Sequence, residues 1–279
     1  MSVSKKLALY TTLFLVLSVV IFARTTSAQN RSDTHDIYNA LTGVDIKIDG
    51  KMSDWDGVFD TVVGTNGGPF TDLPAGDGGK KSFEGHAGGT WDGKEDHRVG
   101  IMMVWQPDAF YIGLIVTDEN HDGPPNAGAA WNGDSLQMAL EMTGKRKAGI
   151  PMLLYNMGAS EGKLFISNEA PGENGLTEND VMIVRDEAAK KTYYEIKLSA
   201  EEILKKGKFE KGLEFGMGIC VNDSDPPKAK GQKGWSGWYC HAVVHGKNSE
   251  KTGLVHLTDE KLPVDRIGKL TTTWSAIRQ

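Results

Sequence analysis

A tryptophan in a loop and an amide on the strand after it are the residues of this sequence best suited to contact a ligand. Trp131 follows Gly128-Ala129-Ala130, a stretch typical of a loop. In the next predicted strand Leu136 and Met138 share one face and Gln137 takes the other, because side chains alternate along a strand. An exposed ring beside a polar strand face favours ligand binding. A ring folded over the edge of the fold is the alternative that the sequence leaves open.

Side chains with oxygen atoms are concentrated between Asp118 and Asp122, in a loop predicted to follow a strand. Oxygen atoms are the ligands that Ca²⁺ prefers, so Asp118 and Asp122 are candidate metal ligands. Their spacing matches no EF-hand, and a solvated acidic turn is the favoured alternative. The seven histidines show no spacing typical of a zinc site, and we interpret them as surface residues.

Residues with nucleophilic side chains form no recognisable catalytic motif. The sequence has no Gly-x-Ser-x-Gly motif, and no pair of carboxylates stands out as an acid and a nucleophile. We therefore predict that the protein is not an enzyme, with a glycosidase as the minor alternative. Cys220 and Cys240 could form a disulfide or remain two inert thiols, and both possibilities stay open.

Alternating apolar residues predict a fold built from β-strands. Turns rich in Gly, Pro, Asn and Asp separate them, so we predict an all-β fold, an antiparallel β-sandwich of jelly-roll type. One short helix is expected at Ala200–Leu204, with Ser199 as its N-cap. The predicted strands are Val44–Ile48, Val99–Trp105, Phe110–Val116, Leu136–Met142, Pro151–Asn156, Leu164–Ser167, Val181–Arg185, Tyr194–Leu198, Phe215–Val221, Trp238–Val244 and Gly253–Leu257.

The first 28 residues are predicted to be a signal peptide that is cleaved on export. Lys5 and Lys6 precede an apolar run from Leu7 to Ala23, and Thr26-Ser27-Ala28 places small residues at the cleavage positions. An uncleaved anchor is the alternative, but the run is shorter than the ~20 residues of a typical membrane span. The protein is therefore expected to be secreted, to the periplasm or to the cell exterior.

The rest of the chain is predicted to form one domain at residues 44–258, after a flexible lead-in at 29–43 and before a polar tail at 259–279. Residues 64–98 are rich in glycine and are predicted to form a long loop, either mobile or functional. The formal net charge is -6, with 31 basic and 37 acidic residues. This balance argues against nucleic acid or an anionic membrane as a partner, because both select basic surfaces.

Five segments follow one another in a recognisable order. They are Ile48–Trp55, Asp108–Gly113, Trp131–Gln137, Tyr194–Ser199 and Phe215–Asp223, and a Trp-rich strand and Thr252–Val255 come after them. In this order the chain resembles the family 9 carbohydrate-binding modules and their relatives in the DOMON-like superfamily, from Val44 to Leu257. The resemblance implies a β-sandwich that binds saccharide ends. Such modules are often attached to polysaccharide-degrading enzymes and often hold structural calcium.

The resemblance also implies roles for particular residues. The family places a sugar between two aromatic rings, since its apolar C–H face stacks on a ring while its hydroxyls need directed hydrogen bonds. Trp131 matches one of these rings. Gln137 matches the position of a sugar-binding carboxylate, and Asn156 lies near another polar position of the site. Cys220 falls where the family can have a polar binding residue, which is a departure.

The second ring of the family is expected shortly before Thr252-Gly253. There this sequence runs from His245 to Glu250 without a tryptophan, so the aromatic pair is incomplete. Trp235, Trp238 or His245 could take the place of the missing ring.

A separate feature is the polar face of the strand that ends at Asn222. On this face Gly216 and Gly218 lie between Glu214 and Asn222. Two positions without side chains indicate close approach either by a ligand, with Asn222 beside it, or by a neighbouring backbone.

These observations together predict a secreted, non-catalytic carbohydrate-binding module that assists polysaccharide breakdown, beside a separate glycoside hydrolase. The expected partner is a saccharide or polysaccharide, and structural calcium is the expected cofactor. The alternative is a haem-binding electron-transfer module, since relatives in the superfamily bind haem through methionine and histidine or lysine. Met102, Met103 and Met157 keep this alternative open, although methionine is also an ordinary core residue and no Cys-x-x-Cys-His motif is present.

Overall fold

The computed structural model describes residues 36–58, 77–225 and 231–262, which form twelve β-strands and one short α-helix, α1 (Ala200–Leu204). The strands are β1 (Ile37–Thr42), β2 (Glu84–Gly85), β3 (Arg98–Gln106), β4 (Ala109–Thr117), β5 (Ser135–Glu141), β6 (Leu153–Ser160), β7 (Lys163–Ala170), β8 (Val181–Asp186), β9 (Lys191–Ser199), β10 (Glu214–Asp223), β11 (Gly234–Trp238) and β12 (Gly253–Leu257).

The strands form two sheets that share β1, so that the whole is nearly closed. The first sheet has the order β7-β6-β5-β10-β12-β1 and the second the order β1-β3-β4-β9-β8. β1 joins them because Ile37–Ala40 pairs with β12, whereas Leu41 and Thr42 pair with β3. β11 pairs with β10 beyond the end of β12, and β2 pairs with β11.

The predicted all-β sandwich with one short helix is confirmed, with a correction at its first strand. β1 is parallel to both of its neighbours, so the order is mixed rather than purely antiparallel. The strand also lies earlier than predicted, within the segment interpreted as a flexible lead-in, and Val44–Ile48 is not a strand. Val44 and Ile46 are buried, so their alternation reflects packing on the core without strand pairing.

The main core is built from the apolar faces of both sheets. Phe110 of β4 and Phe215 of β10 meet edge to face with ring centroids 5.3 Å apart. Trp55, predicted to be a core residue, is fully buried, and its indole N–H donates to Glu195 Oε1 at 3.0 Å. Its ring lies on Gly113, where a Cβ atom would come within 2.8 Å of it. Met102, Met103 and Met157 are fully buried in this core as well.

Two of the predictions about local structure have opposite outcomes. The N-cap of α1 is confirmed, because Ser199 Oγ accepts a hydrogen bond from the Glu202 N–H at 3.1 Å. The strand predicted at Trp238–Val244 is wrong. Tyr239 adopts a left-handed conformation with φ of 56°, which ends β11, and the 3₁₀ turn Cys240–Ala242 follows.

Three predicted segments lie wholly or partly outside the described residues. They are the signal peptide, the first part of the Gly-rich loop (within residues 59–76) and the tail from residue 263. Among the residues that are described, no helix is long and apolar enough to cross a membrane.

Candidate functional site

A cleft of about 460 Å³ opens on the face of the first sheet that points away from the main core. Gln137 of β5 lies at this face, since its neighbours Leu136 and Met138 belong to the core. Aromatic, amide and charged side chains line the cleft, namely His86, Trp131, Gln137, Glu169, Gln232, Trp235, His245 and Lys247. The structure therefore brings together three of the predicted binding residues, Trp131, Gln137 and His245, from two distant parts of the chain.

Trp131 presents its ring to solvent from a loop whose backbone is fixed. Its side chain is 41% exposed. The loop begins with a 3₁₀ turn that Asn126 caps by accepting from the Ala129 N–H at 3.1 Å. The carbonyl of Trp131 accepts a hydrogen bond from Asn222 Nδ2 at 2.9 Å. Hydrogen bonds of the main chain thus fix the loop that carries the ring.

A row of amide side chains lies beneath the cleft and centres on Asn222. Gln137 Nε2 donates to Asn222 Oδ1 at 3.1 Å, and Gln232, which also lines the cleft, donates to the same oxygen. Asn222 Nδ2 in turn donates to Ser135 Oγ at 2.9 Å. Asn222 is almost completely buried. It therefore positions the groups that line the cleft and is not itself a lining residue.

We expect Asn222→Ala to lower the free energy of unfolding by about 2–4 kcal/mol, because it removes the hydrogen-bond partner of the Gln137 amide and of the Trp131 carbonyl and the donor to the Ser135 hydroxyl. Urea denaturation checks this. Asn179→Ala, at an exposed asparagine, is the control and should stay within about 0.5 kcal/mol of the unmodified protein. Equal stabilities of the two variants would contradict the central position of Asn222.

A charged pair borders the cleft on the side of β7. Asn156 Nδ2 donates to Glu169 Oε2 at 3.1 Å, and Lys247 Nζ lies 3.2 Å from the same oxygen. Asn156 is buried beside Gln137, its register partner on β5. The predicted residue Asn156 thus orients Glu169. Sequence reasoning missed Glu169 and Lys247, since no local pattern distinguishes them from other surface charges.

The aromatic side of the cleft differs from what the sequence suggested. Trp238, a predicted binding residue, is buried in the main core, with its ring 6.1 Å from that of Tyr38. Trp235 lies three residues earlier, on the opposite face of β11, and lines the cleft although it is only 4% exposed. The His86 and His245 rings flank it, with centroids 5.1 Å and 5.7 Å away.

The two glycines on the polar face of β10 have a structural explanation. A Cβ atom at Gly218 would lie 2.4 Å from Ala242 Cβ, and one at Gly216 would lie 2.4 Å from Thr252 Oγ1. The chain segment after β11 therefore packs directly on these positions. Of the two interpretations of the sequence, close approach of a neighbouring backbone is the one that the structure supports.

The two cysteines are free thiols, and both are buried. Burial raises the pKa of Cys220 well above its usual value and raises that of Cys240 as well. The thiols are thus held in the protonated, unreactive form. Of the two possibilities left open by the sequence, the inert pair is the one observed.

A second group of residues forms an acidic cluster at the ends of β4, β5 and β10. One carboxylate oxygen from each of Asp118, Asp223 and Asp225 lies within 4.8 Å of the other two, close enough for the three residues to bind one metal ion. Asp223 is only 1% exposed, yet neither of its carboxylate oxygens accepts a hydrogen bond from a residue of the described ranges. His97, itself buried, has Nδ1 3.4 Å from Asp223 Oδ1. The acidic cluster is Asp96, Asp118, Glu119, Asp134, Asp223 and Asp225.

The acidic cluster places several carboxyl groups close together and largely away from solvent, and both effects raise the pKa values of Asp96, Asp118 and Asp134. Burial raises the pKa of Asp118 and of Asp134, and the charge of Asp223 adds to both effects. Burial also raises the pKa of Asp96 to about 6. Burial acts to lower the pKa of His97, but the contact with Asp223 outweighs it, so the net shift is upward. A bound cation would remove this repulsion.

The residues of the acidic cluster fit an oxygen-preferring divalent cation, because Asp223 offers two buried oxygens whose one charged neighbour of opposite sign within the described residues, His97, lies 3.4 Å from Oδ1. Asp118, predicted as a metal ligand, belongs to the cluster. Asp122 has a different role. Its main-chain N–H donates to Asp134 Oδ2 at 2.5 Å, and its carboxylate accepts from Ser224 Oγ at 3.4 Å. It therefore holds Asp134 in place.

No protein-family model and no curated protein matches this sequence. Solved structures match in fold. A family 9 carbohydrate-binding module from Caldicellulosiruptor kristjanssonii in complex with cellotriose has a TM-score of 0.54 and 13% identity, covering 81% of this chain and 95% of that chain. A family 9 module from the same organism in complex with glucose has a TM-score of 0.54 and 12% identity, and the match covers 82% of this chain and 99% of that chain. The chain has the fold of these modules, and the resemblance seen in the sequence is confirmed at that level.

Proposed function

We propose that the protein is a non-catalytic carbohydrate-binding module and that the cleft beside Trp131 is its saccharide site. The observation that carries the proposal is the exposed Trp131 ring beside a cleft lined by amide and charged groups. Its support is the shared fold with modules whose structures contain cellotriose and glucose.

The chemistry of the cleft suits a pyranose. The C–H face of the sugar would stack on Trp131, because an indole ring offers a flat apolar surface. Its hydroxyls would meet Gln137, Glu169 and Lys247, which line the cleft. The ion pair of Glu169 with Lys247 offers both a charged acceptor and a charged donor, and hydrogen bonds to charged groups are the stronger ones.

In this proposal the saccharide binds without forming a covalent bond, and a second group of aromatic rings borders it. Trp235 and the His86 and His245 rings form an aromatic wall of their own, in place of the second exposed ring that the family resemblance implies. Since Trp235 is nearly buried, Trp131 supplies the larger accessible ring surface.

A titration of the purified protein with cellotriose and glucose, followed by calorimetry and tryptophan fluorescence, tests the proposal. We expect saturable binding of at least one of them, with one site per chain. Sorbitol carries similar hydroxyls but has no pyranose face, and it should not bind. The absence of any saturable response to these sugars and to a wider panel of oligosaccharides would overturn the proposal.

We also propose that the acidic cluster binds Ca²⁺ as a structural ion. Its carboxylates supply the oxygen ligands that this ion requires, and the buried oxygens of Asp223, of which Oδ2 has neither a hydrogen bond nor an ion pair within the described residues, support the proposal. Bound Ca²⁺ would hold together the loops at the ends of β4, β5 and β10, which include the Asp134 turn three residues after Trp131.

Export and a role in polysaccharide breakdown complete the proposal. Export is supported by the basic, apolar and small-residue pattern of the first 28 residues. Mass spectrometry of the secreted protein should then find Gln29 as its first residue. A separate glycoside hydrolase is the proposed companion, since binding alone degrades no polymer.

A further inference from the structure

Glu84, His241 and His245 form a compact group at the edge of the cleft, here called the His–Glu cluster. His241 Nε2 lies 2.6 Å from Glu84 Oε2, and His245 Nε2 lies 2.6 Å from Glu84 Oε1. Each imidazole thus faces one oxygen of a single carboxylate. The three candidate ligand atoms lie within 4.8 Å of one another.

The main chain fixes all three residues of the His–Glu cluster. Glu84 lies on β2 and is the register partner of Trp235 on β11. His241 lies on the 3₁₀ turn that follows β11. Asn248 Nδ2 donates to the carbonyls of both His241 and His245, at 3.3 Å and 3.0 Å. The arrangement is therefore built by paired strands and a hydrogen-bonded turn.

We propose that the His–Glu cluster binds a late divalent transition metal, of which Zn²⁺ is the representative. Two imidazole nitrogens and one carboxylate are ligands that Zn²⁺ prefers, and three protein ligands leave a fourth position for water or another ligand. The side chain of His245 is 53% exposed, so the ion can enter from solvent. This metal is chemically distinct from the Ca²⁺ of the acidic cluster, whose ligands are mainly carboxylates.

The observed spacing is close to what Zn²⁺ needs. Bonds of about 2.0–2.1 Å at tetrahedral angles place neighbouring ligand atoms about 3.3 Å apart. Glu84 would bind the ion through one carboxylate oxygen, so only one of the two 2.6 Å contacts joins a pair of ligand atoms, and that contact must open by about 0.7 Å. The other imidazole faces the second carboxylate oxygen and must turn toward the ion. Neither His241 nor His245 is fully buried, so both rings can rotate.

The metal site would adjoin the cleft without depending on the saccharide proposal. His245 belongs both to the cluster and to the cleft lining. The fourth position of the metal is then the point at which an additional ligand atom could be held beside the cleft. Zn²⁺ binding can be measured with no sugar present, so failure of one proposal leaves the other intact.

The test is a calorimetric titration of the metal-free, tag-free protein with Zn²⁺, in the presence of Ca²⁺ to occupy the acidic cluster. We expect one equivalent of Zn²⁺ to bind. His241→Ala and the nearly isosteric Glu84→Gln should weaken binding by at least ~100-fold, beyond the ~10–100-fold typical of residues that only support a ligand. Co²⁺ in place of Zn²⁺ should give the visible absorption of a tetrahedral site, and both variants should lose it.

His256→Ala is the matched control, because His256 also faces a carboxylate, Glu214 Oε1 at 3.0 Å from its Nδ1, but is not part of the cluster. It should bind Zn²⁺ as the unmodified protein does. Circular dichroism establishes that each variant is folded, and Glu84→Gln gives the decisive comparison if His241→Ala does not fold. Absence of stoichiometric Zn²⁺ binding by the unmodified protein, or full binding by folded Glu84→Gln, would overturn the proposal.

Discussion

Trp131→Ala should weaken saccharide binding by about ten- to hundredfold. Covering an aromatic side chain of this size contributes about 1.5–3 kcal/mol, and every 1.4 kcal/mol corresponds to about tenfold in affinity. Cellotriose and glucose are the probes, measured by calorimetry. The folded state should be unaffected, because the ring is 41% exposed and the loop is held through the Trp131 carbonyl, which the substitution keeps.

Two further variants separate stacking from a general surface effect. Trp131→Phe keeps a flat ring and should retain most of the affinity. Val184→Ala removes another exposed apolar side chain, on β8 in the second sheet, and should leave the affinity unchanged. If Trp131→Ala binds as tightly as the unmodified protein, the site does not lie at this ring.

Local patterns were sufficient to predict the outward orientation of Gln137 and the loop position of Trp131. Both depend only on neighbouring residues: the alternation of β5 and the small residues before the tryptophan. The N-cap at Ser199 was predictable for the same reason, since its acceptor and donor are three residues apart. In each case the physical cause lies within a few residues of its effect.

The rest of the cleft depends on pairings between distant segments. His86 reaches the cleft because the segment around β2 pairs with β11, and Glu169 of β7 meets Lys247, which lies far from it in the chain. Neither contact has a local signal in the sequence. The choice between Trp235 and Trp238 likewise depends on which face of β11 packs on the core, and both residues have the same apolar character.

The acidic cluster is the clearest case in which local sequence does not reveal contacts between distant residues. The sequence indicated Asp118 as a candidate metal ligand because other acidic residues lie near it. Asp122 was predicted as a ligand for the same reason. Asp223 approaches Asp118 only through the fold. The composition of one loop therefore indicated Asp118 as a candidate ligand. It could not show that Asp118 and Asp223 lie together, because that contact depends on the fold.

Removing Ca²⁺ should lower the melting temperature of the protein by about 5–10 °C. Ligand at about 100 times its dissociation constant stabilises the folded state by about 2.7 kcal/mol, and 1 kcal/mol corresponds to about 2–4 °C for a domain of this size. The measurement is a thermal melt with excess chelator against one with excess Ca²⁺. Asp223→Asn should abolish most of the difference, because it neutralises the buried carboxylate that lies beside Asp118 and Asp225.

Asp259→Asn is the matched control, since Asp259 is exposed and pairs with Lys211, away from the acidic cluster. It should keep the full response to Ca²⁺. An unchanged melting temperature on chelation, or equal responses of Asp223→Asn and Asp259→Asn, would contradict a Ca²⁺ site in the acidic cluster.

The response to Ca²⁺ should also increase with pH. Burial raises the pKa of Asp96 to about 6 and also raises the pKa of Asp118 and of Asp134. Between about pH 4 and these raised pKa values, the cation-free folded protein therefore binds more protons than the unfolded chain does. Its stability therefore falls as the pH rises through this window. Bound Ca²⁺ favours the ionised carboxylates and opposes that fall, since metal and protons compete for the same oxygens. The melting temperatures with and without Ca²⁺ should accordingly differ more at pH 7.5 than at pH 5, and a difference that shrinks with rising pH would show that the ion binds elsewhere.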